Sequence, residues 1–163
     1  MHFTNILINI RKIVRSVNLE SKRIQKEFGI SIPQLLSLHY LSSKPDYQST
    51  VTQIAEYLNL NLSTVTGIVD RLEKKRLVAR LPKSGDKRKT VISLTAEGFK
   101  LLEQSPELLH QQLSRKLSSL SKNQLESLKS SLEVLVQCFD LSEEEASPMI
   151  TIEDFAALAE DND

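Results

Sequence analysis

Residues 63–95 read STVTGIVDRLEKKRLVARLPKSGDKRKTVISLT, and this stretch decides the fold. Its first part, residues 63–75, has small polar residues at the front and an apolar stripe at helical spacing behind them, which predicts an amphipathic helix. Two short apolar runs, at 77–81 and 90–94, are predicted to be strands. The segment between them, Pro82 to Lys89, is predicted to be a loop and holds four basic residues. The stretch therefore predicts a helix followed by a basic hairpin.

A second short helix is predicted just before this stretch. Thr50 and Gln53 have the spacing of a capping box at its start, and Asn61 is a good N-cap for the helix that follows. Two short helices joined by a tight turn form a helix-turn-helix unit. A helix with a small polar front can approach base edges in the major groove, and a cationic hairpin beside it can contact phosphates or the minor groove. The pattern predicts a winged helix-turn-helix that binds DNA.

The flanking segments are predicted to be helical. A helix over about 3–28 has apolar residues at spacings near 3.5, which is typical of a seam against another helix. Helices are also predicted over about 32–43 and after Thr95. The latter is expected to be kinked or restarted by Pro106, with Ser105 as the new cap. A last helix, opened by a capping box at Ser121, carries a second apolar seam that ends at Phe139. The fold class is therefore mostly α (α+β).

Charge is distributed unevenly, although the net charge is zero. Residues 1–49 and 50–100 are basic, whereas residues 139–163 carry nine acidic residues and no basic one. A basic body with an acidic tail still presents a positive face to DNA. The tail is predicted to be a solubilising end that includes a short amphipathic segment around Phe155. The alternative is that it competes with DNA for the basic face.

Several classes of protein are disfavoured by the sequence. It has no Gly-rich phosphate loop, no nucleophile motif and no residues at metal-ligand spacing. We therefore expect that the protein is not an enzyme and that it has no catalytic residue, metal site or cofactor. A single cysteine, Cys138, excludes a disulfide framework within one chain. We predict a buried structural thiol there rather than a peroxide sensor, because a sensor needs nearby positive charge. No signal pattern or membrane span is evident, which favours a soluble cytoplasmic protein.

Two motifs resemble those of the MarR (multiple antibiotic resistance) regulators. Residues 86–95, DKRKTVISLT, are similar to the wing signature of that family, in which Asp-x-Arg is followed after five residues by Leu-Thr. The runs at 63–66 and 69–73 resemble the same family's recognition helix. One difference is Arg76, where the family usually has glycine. A non-glycine residue at positive φ costs about 1 kcal/mol, so a slight shift of the wing is expected.

The resemblance implies a homodimer that binds a pseudo-palindromic operator in double-stranded DNA. The family usually represses transcription and is often released by a small molecule. The implied organisation is an N-terminal dimerisation helix at 1–30, a DNA-binding domain at 31–95, C-terminal dimerisation helices at 96–139 and an acidic tail at 140–163. The runner-up is a winged-helix protein-interaction module without sequence-specific DNA binding.

The candidate DNA-binding residues lie on the recognition helix and the wing. Arg88 is implied to be the wing-tip arginine that enters the minor groove, and Asp86 is implied to hold the wing in shape. Arg71 has two interpretations, a phosphate contact or a local ion pair with Asp70 or Glu73. Short side chains at 63, 64 and 66 are suited to close groove contact, although a plain capping or surface role is the alternative. The full set is Asn61, Ser63, Thr64, Thr66, Gly67, Arg71, Lys83, Asp86, Lys87, Arg88 and Lys89.

A ligand site is the least defined expectation. The run at 10–17 and residues 33–36 are loosely similar to a branch of the family that regulates compatible-solute (ectoine or betaine) synthesis. Quaternary ammonium groups favour aromatic faces, so Phe28, His39 and Tyr40 are candidates for binding an osmolyte, or an aromatic effector. Ordinary helix packing is the alternative for His39 and Tyr40.

Overall fold

The computed structural model describes residues 3–139, with Lys87 described by its backbone alone. Contacts divide this range into two compact units, residues 3–106 and 107–139. The elements, in chain order, are α1 (Phe3–Phe28), α2 (Ile32–Ser42), β1 (Gln48–Ser49), α3 (Val51–Leu58), α4 (Leu62–Lys74), β2 (Val78–Lys83), β3 (Asp86–Leu94), α5 (Ala96–Gln104), α6 (Leu109–Leu117) and α7 (Lys122–Cys138). The mostly helical fold with a small winged sheet is confirmed.

The predicted helix starts are confirmed by their caps. The side chains of Thr50 and Ser121 each accept a hydrogen bond from the backbone three residues on, and the glutamines at those positions return one. Asn61 caps α4 by accepting the Thr64 N–H at 2.9 Å. Asn59 ends α3 in the left-handed conformation, with φ of 53°. Local hydrogen-bonding chemistry therefore sets these boundaries.

Helix α2 is the centre of the first unit. It contacts α1, α3, α4, α5, β1 and β3. Leu35, Leu36, Leu38 and Leu41 are fully buried. Gln34 is also buried, and its side chain accepts the Ser31 N–H at 2.9 Å, so its polarity is satisfied inside the core. Because α2 is surrounded, the helix-turn-helix and the wing are both built on it.

The segment after α5 differs from the prediction. Ser105 does not cap α6: it ends α5, and its hydroxyl donates to the Leu102 carbonyl at 2.8 Å. Helix α6 starts later, at Leu109, where the Leu108 N–H donates to the Gln111 side chain at 2.9 Å. Residues 3–139 therefore contain seven helices rather than six, because Pro106 interrupts the pattern for longer than a kink would.

The wing is a longer hairpin than predicted. Strands β2 and β3 pair antiparallel, and the basic residues from Lys83 to Lys89 lie mostly in strands rather than in a loop. Pro82 pairs with Thr90, whereas Lys83 pairs with Asp86, so the residues at 87–89 fall at a register irregularity. Pro82 lies on the edge strand β2, a position at which a sheet tolerates a residue without an N–H. The sequence also missed β1, which completes a sheet in the order β1-β3-β2.

A close backbone corner joins α4, β2 and α5. Arg76 has a φ of 60°, the left-handed conformation that a glycine adopts easily. Its carbonyl accepts the Thr95 hydroxyl at 2.7 Å, and the Leu77 carbonyl accepts the Thr95 N–H at 3.2 Å. A Cβ on Gly98 would overlap that Leu77 carbonyl oxygen and would lie 2.6 Å from Leu94 Cδ1. Glycine at 98 is therefore required by packing.

The second unit leaves an apolar face open. No residue of α7 is buried within the described chain, and an apolar groove of about 510 Å³ is lined mainly by Leu117, Leu125, Leu128, Leu132 and Val136. The described helices include none that is long and apolar enough to cross a membrane.

Cys138 corrects the prediction of a buried thiol. It is exposed at the last turn of α7, a helix that has no buried residue among the described ones. The predicted acidic tail, 140–163, lies outside the described residues.

We expect Gly98→Ala to lower the free energy of unfolding by about 1–3 kcal/mol, because the backbone carbonyl of Leu77 cannot rotate away from the new methyl group. Chemical denaturation measures this change. The matched control is Gly67→Ala in α4, whose Cβ would meet only the end of the Arg71 side chain, at 3.3 Å. Equal losses for the two variants would contradict the packing argument.

Replacing Arg76 by glycine is expected to raise the free energy of unfolding by up to about 1 kcal/mol, since glycine adopts positive φ without strain. Arg76→Ala retains the strain and serves as the control. The two variants are compared by chemical denaturation. If alanine stabilises as much as glycine, the gain comes from losing the arginine side chain and not from the backbone.

Candidate nucleic-acid interface

Helix α4 presents a small polar surface opposite its buried stripe. Val65, Ile68, Val69 and Leu72 are buried in the core. Ser63 and Thr66 are exposed, and Thr64 and Gly67 are half-buried beside them. The sequence periodicity therefore oriented the helix correctly, and these four predicted contact residues lie on or next to its open side.

Two hydroxyl groups on this surface donate hydrogen bonds to acceptors of the same helix or its N-cap. Ser63 Oγ donates to Asn61 Oδ1 at 2.8 Å, and Thr66 Oγ1 donates to the Leu62 carbonyl at 2.9 Å. In this arrangement their oxygens remain available as acceptors. The exposed amino groups of adenine and cytosine in the major groove are donors of matching chemistry.

The wing exposes its cations. Lys83, Arg88 and Lys89 are exposed, and the Asp86 carboxylate accepts the backbone N–H of Arg88 at 3.0 Å. This hydrogen bond joins Asp86 to the backbone next to the register irregularity, a geometry compatible with the shaping role that the resemblance implies for Asp86. The side chain at 88 is left free to extend from the hairpin.

Arg80 is a residue that the sequence analysis missed. It lies on β2, and its guanidinium donates to both Asp70 and Glu73 on α4. Burial lowers the pKa of Arg80, but the hydrogen bonds that it donates to the two carboxylates, together with their negative charge, outweigh burial and hold the pKa above its usual value. The spacings of ten and seven residues follow no local rule, and only the fold brings the three side chains together. Arg80 thus ties the wing to α4.

Two further residues of α4 have an exposure that the sequence did not predict. Arg71 is 7% exposed, and its guanidinium lies beside Gly67, whereas Arg80 binds the two acidic residues considered as local partners for it. Leu62, which was not singled out, is 53% exposed at the start of the helix. An exposed leucine there is suited to apolar contact with a thymine methyl group.

Tyr40, one of the three candidate ligand residues, has aromatic and cationic neighbours within the chain. Tyr40 stacks on Tyr57 with 4.5 Å between ring centroids, and Lys44 Nζ lies 4.2 Å from the Tyr40 ring centre. Burial, and then the neighbouring Tyr40, raise the pKa of Tyr57. The aromatic face of Tyr40 therefore already holds a cation of the chain itself. Phe28 is half-buried on α1, and His39 is half-buried on α2.

Residues 3–139 contain no group of three His, Cys, Asp or Glu side chains that could hold a metal ion. The half-buried His110 in α6 has its pKa lowered by burial.

Comparison with known proteins agrees with this geometry. The MarR family profile matches residues 30–90. The multiple antibiotic resistance protein MarR of Escherichia coli is 30% identical, over 71% of this chain and 84% of its own length. The organic hydroperoxide resistance transcriptional regulator of Bacillus subtilis is 31% identical, over 76% of this chain and 81% of its own.

Among solved structures, the complex of S. aureus MepR with DNA superposes with a TM-score of 0.59 at 26% identity, covering 81% of this chain and 96% of that one. These relatives are transcriptional regulators rather than enzymes. Since two of them reach 30% identity along more than two thirds of the sequence, the chain belongs to the MarR family of winged-helix transcriptional regulators.

Proposed function

We propose that this chain is a sequence-specific repressor that binds a pseudo-palindromic operator as a homodimer. The observation that carries the proposal is the exposed polar surface of α4 beside a wing whose cations are exposed, with Arg80 joining the two. The repressor role rests on the family resemblance. No feature of the described residues favours the alternative, a winged-helix protein-interaction module, over DNA binding.

In this proposal α4 enters the major groove and the wing contacts the flanking backbone. Ser63, Thr64 and Thr66 read base edges, with Asn61 and Gly67 allowing close approach. Arg88 enters the minor groove, where a weakly hydrated guanidinium loses little on desolvation. Three lysines contact phosphates, which position the protein without specifying sequence. Those lysines are Lys83, Lys87 and Lys89. Arg71 remains a candidate phosphate contact through movement of its side chain.

Unpartnered apolar surface in both units supports the dimer. On α1, Phe3, Ile6 and Ile13 are each more than half exposed. The open groove on α7 adds a second apolar face. Contiguous apolar surface of this kind marks an interaction site. We assign 1–30 and 96–139 to dimerisation and 31–95 to DNA binding, with half-sites about one helical turn apart.

Release by a small molecule is the remaining part of the proposal. An effector would act by favouring a dimer whose recognition helices are wrongly spaced. Phe28, His39 and Tyr40 stay the candidates for an osmolyte or an aromatic compound. Isothermal titration calorimetry with ectoine and with glycine betaine tests the compatible-solute prediction. If neither compound gives a heat of binding with the folded protein, the prediction is wrong.

The deciding experiment is selection of random duplex DNA by the purified chain at near-physiological salt, followed by sequencing. Recovery of a palindromic motif establishes dimeric, sequence-specific binding. Failure of folded, dimeric protein to enrich any motif would favour the interaction-module alternative.

For DNA recovered in that way, Arg88→Ala is expected to weaken binding by at least about tenfold, because a minor-groove arginine and its charge are lost. Fluorescence anisotropy measures the affinity, and light scattering should show the same oligomeric state as the parent protein. Arg23→Ala removes an exposed arginine of α1 and is the matched control. Similar losses for both variants would indicate a general charge effect.

Arg80 is expected to act as a positioning residue. Arg80→Gln should weaken operator binding several-fold while the dependence of affinity on salt stays unchanged, because no phosphate contact is removed. Arg88→Ala should instead reduce that salt slope by about one. Arg115→Gln is the control, since Arg115 is likewise paired with a carboxylate, that of Glu107, but in the other unit. A reduced salt slope for Arg80→Gln would mean that Arg80 contacts DNA directly.

A further inference from the structure

Leu62 and Thr66 are neighbours on the surface at the start of α4. Leu62 is the first residue of the helix and is 53% exposed, and Thr66 follows four positions later and is also exposed. Residues at this spacing have about 5–6 Å between their Cβ atoms. The N-terminal residues of a recognition helix are the ones that contact base edges, and helical side chains lean toward that end. An apolar and a polar side chain therefore lie side by side where α4 would approach a base pair.

The hydrogen-bonding capacity of Thr66 is fixed by the helix. Its Oγ1 donates to the Leu62 carbonyl at 2.9 Å, and a carbonyl oxygen can only accept. Because the single hydroxyl proton is used in this way, Oγ1 offers an incoming group only a lone pair. In the major groove its partner must therefore be an amino group.

Leu62 sets a second and different requirement. Its side chain has no polar atom, and the first turn of α4 contains no acidic residue that would repel DNA. The apolar group on the major-groove edge of a base pair is the C5-methyl group of thymine. Leu62 therefore favours a base pair that contains thymine.

The two requirements together identify one base pair. The amino groups exposed in the major groove belong to adenine and cytosine, and the methyl group belongs to thymine. In unmodified DNA, the A·T pair is the one that carries both on the same edge. A G·C pair would supply an amino group to Thr66 but no methyl group to Leu62.

We propose that Leu62 and Thr66 jointly read one A·T pair in each half-site of the operator. Leu62 packs against the thymine methyl group, and Thr66 Oγ1 accepts a hydrogen bond from the adenine amino group. This assignment rests on the proposed function and extends it, because it gives the identity of one operator base pair and a role to Leu62.

The test removes single chemical groups from the operator that the parent chain recovers. Deoxyuridine in place of thymine removes only the methyl group, and purine in place of adenine removes only the amino group. Each pair is changed in both half-sites, and fluorescence anisotropy measures the affinity. We expect both changes to weaken binding at the same base pair. The deoxyuridine effect should be about fourfold for each half-site, which is the expected cost of one lost apolar carbon contact.

Protein variants show which side chain senses each group. Leu62→Ala should no longer respond to deoxyuridine at that pair, because the methyl group has lost its partner. Leu81→Ala is the matched control, since Leu81 is an exposed leucine of β2, and it should retain the response. Thr66→Val should no longer respond to purine, whereas Thr66→Ser keeps the hydroxyl acceptor and should retain that response. Circular dichroism checks that the variants fold.

Three results would overturn the assignment and leave the proposed function standing. They are a deoxyuridine effect that persists in Leu62→Ala, a purine effect that persists in Thr66→Val, and effects of the two base changes at different pairs. Failure of the parent chain to recover any motif would overturn the proposed function and the assignment together.

Discussion

The carbonyl groups of Arg76 and Leu77 fix how the DNA-binding region is assembled. Both are bound by Thr95, one through its hydroxyl and one through its N–H. Gly98 allows α5 to approach the second carbonyl more closely than any side chain would permit. The end of α4, the start of β2 and the start of α5 are therefore held at one point by backbone atoms. The angle between α4 and the wing follows from this corner rather than from the basic residues that are proposed to bind DNA.

Side-chain charge adds a second connection between the same elements. Asp70 and Glu73 lie on α4, the helix whose polar surface is proposed to meet DNA. Arg80 reaches from the wing to both of them. The one arginine thus pairs with two acidic residues and links the two parts that are proposed to contact the operator. Because exposed ion pairs add little stability, we expect the main effect of Arg80 to be on the position of the wing relative to α4.

The sequence predicted whatever depends on neighbours along the chain. Caps such as Thr50 and Asn61, and the stripe from Val65 to Leu72, depend on spacings of three and four residues, and the structure confirms them. The misses have distant causes. Strand β1 exists only because β3 offers it a partner, and Arg80 has its role only because β2 packs beside α4. The contacts between the candidate residues and DNA stay a prediction, because they form only when DNA is bound.

The order of the small sheet has a consequence for solubility. Its two outer strands are β1, which is two residues long, and β2, which carries Pro82 where a ladder donor would otherwise stand. A strand of another molecule could therefore pair with only two residues at the β1 edge. At the β2 edge, Pro82 offers no N–H and Lys83 adds a positive charge, so pairing there is disfavoured too. Such edges resist the strand-to-strand association that leads to aggregation. The proline of the wing thereby protects a crowded population of these molecules from joining through their sheets.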